Sequence, residues 1–125
     1  MKTLFILIMS TTLILSCQKE TPIVKLSGTW QLIKTELYEN AVLSGSASFD
    51  ADYTTYHFSN GELSELIIEE DGIKKAYHYT YDSAKQLLTI NQVNQYTVER
   101  LTENELIFNI SQDVYTSRYV FSKKR

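Results

Sequence analysis

Tyr77, Tyr79 and Tyr81 recur at every second position, with His78 between the first two. On an extended strand that period places three phenols on one face, each an apolar ring carrying one hydrogen-bonding tip. Such a row suits the wall of a pocket for a small, largely apolar ligand, and it suits equally well core or rim aromatics whose hydroxyls reach solvent. His57 and His78 are the only histidines, and no Cys, Asp or Glu stands beside them at ligand spacing. A zinc site needs three or four converging donors, so no metal is expected. Asp50-Ala51-Asp52 and Glu69-Glu70-Asp71 lack the glycine-punctuated loop that holds calcium and read as solvated turns. Ser44-Gly45-Ser46 is not a Gly-x-Ser-x-Gly elbow, and no glycine-rich phosphate loop precedes a helix. The chemistry expected is reversible binding, with no catalytic step and no cofactor.

The only cysteine and the only proline fall close together, in Leu13-Ile14-Leu15-Ser16-Cys17-Gln18-Lys19-Glu20-Thr21-Pro22. One cysteine excludes an internal disulfide. Ahead of it, Lys2 supplies a positive start and residues 4–15 are almost wholly apolar, which is the layout of a secretory signal peptide. A helix over that run would rise roughly 20 Å, short of the roughly 30 Å hydrocarbon core, so a permanent span is disfavoured. Ile14-Leu15-Ser16-Cys17 resembles the lipobox of bacterial lipoproteins. The resemblance implies removal of residues 1–16, acylation of Cys17, and a tether over residues 17–27. Gln18-Lys19-Glu20 has no aspartate at the position after the cysteine and resembles the Lys-plus-acidic tract of lipoproteins sent to the outer membrane, with display on its outer face as the further option.

At 125 residues the chain has room for one domain, expected over residues 28–125. The formal charge is −3, and no basic stripe interleaves with aromatics, so nucleic acid is not an expected partner. From Gly28 onward, Tyr, Thr, Ile, Val and Phe alternate with polar residues and turn signals recur about every ten residues. Eight strands are expected, over residues 29–38, 53–59, 63–69, 73–81, 87–91, 96–101, 105–111 and 115–123. Asn60-Gly61 and Asp71-Gly72 are hairpin turns by chemistry. Residues 39–52 read as one long loop. A meander with no helix to cover it must bury its faces by closing on itself or by folding as two sheets; closure removes the edges, and eight strands enclose just enough room for side chains or one small ligand. The fold class expected is therefore all-β, an antiparallel up-and-down barrel.

Leu26-Ser27-Gly28-Thr29-Trp30-Gln31-Leu32, a Gly-x-Trp opening the first strand, resembles the lipocalins and the short lipocalin-like domains of bacterial lipoproteins, as do the hairpins that follow. The resemblance implies that Gly28 and Trp30 close one barrel end, with Arg118 as the candidate for the arginine that packs on the tryptophan. A ligand would sit in the open end among Tyr56, Phe58, Tyr77, Tyr79, Phe108 and Tyr119, under residues 39–52 as a lid. The alternative is a barrel with a filled interior that presents loops to an envelope protein. Which parity of each strand faces inward stays open, because one bulge reverses it.

Overall fold

A computed structural model describes residues 25–60 and 64–124. The signal segment, Cys17, Gly61 of one expected turn and Leu63 of one expected strand lie outside them. The described chain contains no helix. Its strands are β1 (Gly28–Glu39), β2 (Val42–Ser48), β3 (Thr54–Phe58), β4 (Glu65–Glu70), β5 (Ile73–Asp82), β6 (Leu87–Ile90), β7 (Asn94–Leu101), β8 (Glu105–Gln112) and β9 (Tyr115–Lys123). They form one antiparallel sheet in the order β2-β1-β3-β4-β5-β6-β7-β8-β9, and β9 returns to pair with β1. β1 and β3 to β9 are thus an eight-stranded closed barrel, and β2 is an extra strand.

That extra strand corrects the reading of residues 39–52 as a loop. Asn40 and Ala41 both take positive φ, 52° and 66°, and reverse the chain in two residues so that Val42 faces Glu39. β1 is long enough to share one edge: Gly28–Gln31 pairs with β3, and Lys34–Glu39 pairs with β2. β2 and β3 therefore lie end to end along β1, interrupted by residues 49–53, where the Phe49 amide still donates to the Ile33 carbonyl at 3.1 Å. The signal was weak because Val-Leu-Ser-Gly-Ser-Ala-Ser shows no apolar alternation and its turn lacks glycine.

The other turns follow local chemistry. Asp71 and Gly72 sit at φ 53° and 82°, and Asn91, Gln92 and Asp113 also lie in the left-handed region. Asp82 Oδ1 accepts from the amides of Ala84 and Lys85, and Thr102 Oγ1 from those of Asn104 and Glu105, which holds two further reversals. A bulge between Leu32 and Lys34 reverses parity along β1. Before it, Trp30 and Leu32 point inward; after it, Thr35 and Leu37 do, opposite Tyr119 and Ser117.

One end of the barrel is sealed. Trp30, Phe58, Phe121, Leu66, Leu88 and Leu106 are fully buried there, and Leu26 folds under the opening so that its carbonyl accepts the Trp30 Nε1 proton at 2.8 Å. The cation on Trp30 is Lys123, its register partner on β9. Its Nζ lies 4.5 Å from the ring centroid and donates to the Ser27 carbonyl at 3.1 Å. Gly28, at φ 123°, lies so close to that ammonium that an added Cβ would collide with Lys123 Nζ. Gly28→Ala is therefore expected to destabilise the barrel by about 1–3 kcal/mol, through left-handed strain and displacement of Lys123. A lowered urea midpoint with unchanged slope would register it.

Candidate functional site

The end opposite Trp30 is open. It is ringed by the β1–β2, β4–β5, β6–β7 and β8–β9 turns. Inside it are two open hollows. One, of about 230 Å³, is lined by Ile68, Glu70, Ile73, Lys75 and Tyr77 on β4 and β5. Pairing of Ile68 with Lys75 and Leu66 with Tyr77 continues the face that carries Leu66 in the core, so these side chains are inward ones. The other, of about 360 Å³, includes Thr35, Leu37, Gly45, Ala47, Ser117 and Tyr119. Mostly small side chains leave this part of the wall hollow, whereas rings fill the middle of the barrel.

Tyr56 connects the two parts. Its register partners are Trp30 and Ile68, and its ring packs edge-on against Phe121 at 4.7 Å. Burial pushes its phenol well above the usual tyrosine range, and the nearby Tyr119, Tyr96, Glu70 and Tyr77 push it further in the same direction. Tyr56 therefore stays protonated and is a donor at any physiological pH. Burial raises Tyr96 as well. Beside Tyr56 on the same inner face of β3, Thr54 is buried and its Oγ1 has no hydrogen-bond partner among the described residues. Tyr56 and Thr54 thus place hydrogen-bonding groups on the inner face of β3, next to their register partners Ile68 and Glu70, which line one hollow.

The six residues read as a ligand set separate by depth. Tyr56 lines neither hollow but pairs with Ile68, which lines one of them, and Tyr77 and Tyr119 line the hollows. Phe58 and Phe108 are fully buried in the core. Tyr79 is inward but tied toward the sealed end, where its hydroxyl donates to the Ser59 carbonyl at 2.8 Å. It lines a separate surface hollow with Leu26, Ser27, Ser64, Tyr81 and Ser83. Residues 39–52 contribute Gly45 and Ala47 as wall through β2, where a lid was expected.

Arg118 is nowhere near Trp30. It points outward, as its parity opposite to Tyr119 and Phe121 requires, and its guanidinium bridges Glu36 at 2.7 Å and Glu99 at 3.0 Å. The Arg118 bond holds the Glu36 carboxyl below the usual range, with Tyr38 and Lys34 adding to it. A lowered carboxylate pKa stabilises the fold above the unfolded value and loses that contribution as pH falls through the folded one. Lys123, which occupies the position expected of Arg118, is two residues beyond Phe121 and shares its parity. That spacing is the signal that could have found it. Ile73 and Lys75 could likewise have been found from the parity of Tyr77.

His57 is on the outer wall, its Nδ1 2.6 Å from Thr29 Oγ1, and His78 is exposed. Among the described residues, no three of His, Cys, Asp and Glu come together as a metal-holding group. Comparisons with protein-family models, with curated proteins and with solved structures found no match for this chain.

Proposed function

We propose that this chain is a lipid-anchored envelope lipoprotein of lipocalin-like type, whose barrel reversibly binds a small, largely apolar ligand in its open end. The observation that carries the reading is the asymmetry of the barrel: rings and Trp30 fill one end, and the other is a cup lined by Leu37, Ile68, Ile73, Tyr77 and Tyr119. Apolar contact would supply most of the affinity, at roughly 25 cal/mol per Å² buried. The protonated Tyr56 phenol would donate one orienting hydrogen bond to a carbonyl or hydroxyl on the ligand. No covalent step is involved. Attachment through Cys17 would leave the barrel on the membrane surface, with the outer membrane as the proposed location.

Native mass spectrometry of residues 18–125, exported and purified gently, is expected to show an added mass that disappears on denaturation. Ile68→Asp, which sets a carboxylate into the cup wall, is expected to lower the occupied fraction at least tenfold while the far-ultraviolet spectrum stays that of the wild type. A clean apo mass for the wild-type domain, with no added mass after incubation with an envelope lipid extract, would overturn the reading.

A second reading has an observation of its own. Val42, Leu43, Val114 and Tyr115 are all exposed at the β1–β2 and β8–β9 turns, and the Asn40 amide donates to the Val114 carbonyl at 2.8 Å, so the two turns are held side by side. Apolar side chains gathered at one rim suit a protein contact. On this reading the barrel interior is scaffold and the rim is the site, presented to an envelope protein.

A further inference from the structure

β2 stands at one end of the sheet order, and among the described residues β1 is its only partner strand. Its other edge is a row of main-chain donors and acceptors seven residues long, and six of those residues are exposed. Open edges are usually guarded by charge, proline or an inward-pointing lysine. Here residues 41–49 carry no charge and no proline, in a chain in which 22% of residues are charged.

The residues on that edge are also arranged symmetrically. Leu43-Ser44-Gly45-Ser46-Ala47-Ser48-Phe49 reads alike in residue class from either end about Ser46. An antiparallel partner centred there sets Ser46 against Ser46 and Gly45 against Ala47; a bulge at Ser44, between the Leu37–Gly45 and Tyr38–Leu43 pairs, ends the regular stretch. Pairing with β1 sets Ser46 and Ser48 on the outer face, opposite Glu36 and Lys34, and Gly45 and Ala47 on the inner face, opposite Leu37 and Thr35. Over residues 45–47 a hydroxyl would therefore meet a hydroxyl and small residues meet small ones, with no side chain there bulky enough to hold the backbones apart. Residues 41–49 carry no charge, so no like charges meet along this edge. A twofold interface demands this self-complementarity, because one patch must serve both subunits.

We propose that the free edge of β2 pairs antiparallel with the same edge of a second copy of this chain, centred on Ser46. The pairing joins two barrel sheets through main-chain hydrogen bonds and covers Val42 and Leu43 on each copy. It does not depend on the cup holding a ligand.

The register is directly testable in whole cells expressing the full chain. Directly opposed residues of antiparallel strands have Cα atoms about 4.5–5.5 Å apart, within the span of a disulfide. Under mild oxidation Ser46→Cys is expected to give a homodimer band at least tenfold stronger than the wild type, which retains only Cys17, and than Val93→Cys, an exposed turn position used to measure random collision. Gly45→Cys and Ala47→Cys should each give little dimer alone and a strong band when co-expressed. Adding Ala47→Lys to Ser46→Cys should remove the dimer. If the Ser46→Cys chain fails to accumulate, the co-expressed pair reads the same register. Equal bands from Ser46→Cys and Val93→Cys, no band from either arrangement, or linkage of Ser46→Cys to a chain of different mass would each overturn the proposal. The last of these would assign the edge to an extended segment of another protein.

Discussion

Trp30→Ala is expected to lower the unfolding free energy of the domain by about 3–5 kcal/mol, the range for removing a large aromatic from a packed core. Three losses combine at this position. The indole is completely buried, so truncation leaves a void at the sealed end of the barrel. The Leu26 carbonyl, itself in a buried residue, loses its Nε1 donor. Lys123 loses the ring beneath its ammonium and keeps only the Ser27 carbonyl. The measurement is equilibrium urea denaturation of residues 18–125 followed by Trp-independent far-ultraviolet signal, with two companion variants. Lys123→Ala should cost about 1 kcal/mol, from the lost cation–ring contact and hydrogen bond. Arg118→Ala should cost about 0–1 kcal/mol, since its ion pairs are on the outer wall in contact with solvent. No measurable cost for Lys123→Ala would show that Lys123 is not the packing cation of the sealed end.

Cys17→Ala is expected to move the protein almost wholly from the membrane fraction to the soluble one and to abolish labelling by a fatty-acid analogue. The size of the effect follows from chain length. Each buried methylene contributes about 0.8 kcal/mol, one acyl chain binds only reversibly, and two or three make an anchor that survives fractionation. Intact mass of the wild-type protein supplies a second readout: cleavage before Cys17 plus acylation should shift it from the value of the bare chain. A Cys17→Ala protein that still fractionates with the outer membrane, or a wild-type mass equal to the unmodified polypeptide, would sink the anchoring proposal while leaving the barrel untouched.

Much of the architecture was legible in residue order because turns and strands are local problems. Asp71-Gly72 tolerates positive φ wherever it occurs, and Leu106-Phe108-Ile110 must show one face of a strand whatever its neighbours are. The count of barrel strands and their antiparallel meander follow from such signals. The closed ring was one of two ways to bury the apolar face, the other being two packed sheets, and the pairing of β9 with β1 is what decides it. β2 escaped this reading: a strand of small residues stabilised by its register on β1 has no amphipathic signature of its own.

The candidate site depended on tertiary structure for a different reason. Parity tells whether a side chain points inward, and it says nothing about depth along the barrel axis. Tyr77 and Phe58 are both inward, yet one borders the open cup and the other is sealed beneath it, because the stagger between neighbouring strands sets their heights. The bulge between Leu32 and Lys34 then decides which half of β1 turns Thr35 and Leu37 to the cup. Closure of β9 onto β1 brings Lys123, not Arg118, to Trp30. Local sequence determined the barrel strands and their turns; only closure and stagger, which depend on all eight strands at once, decided which of the aromatics are wall and which are core.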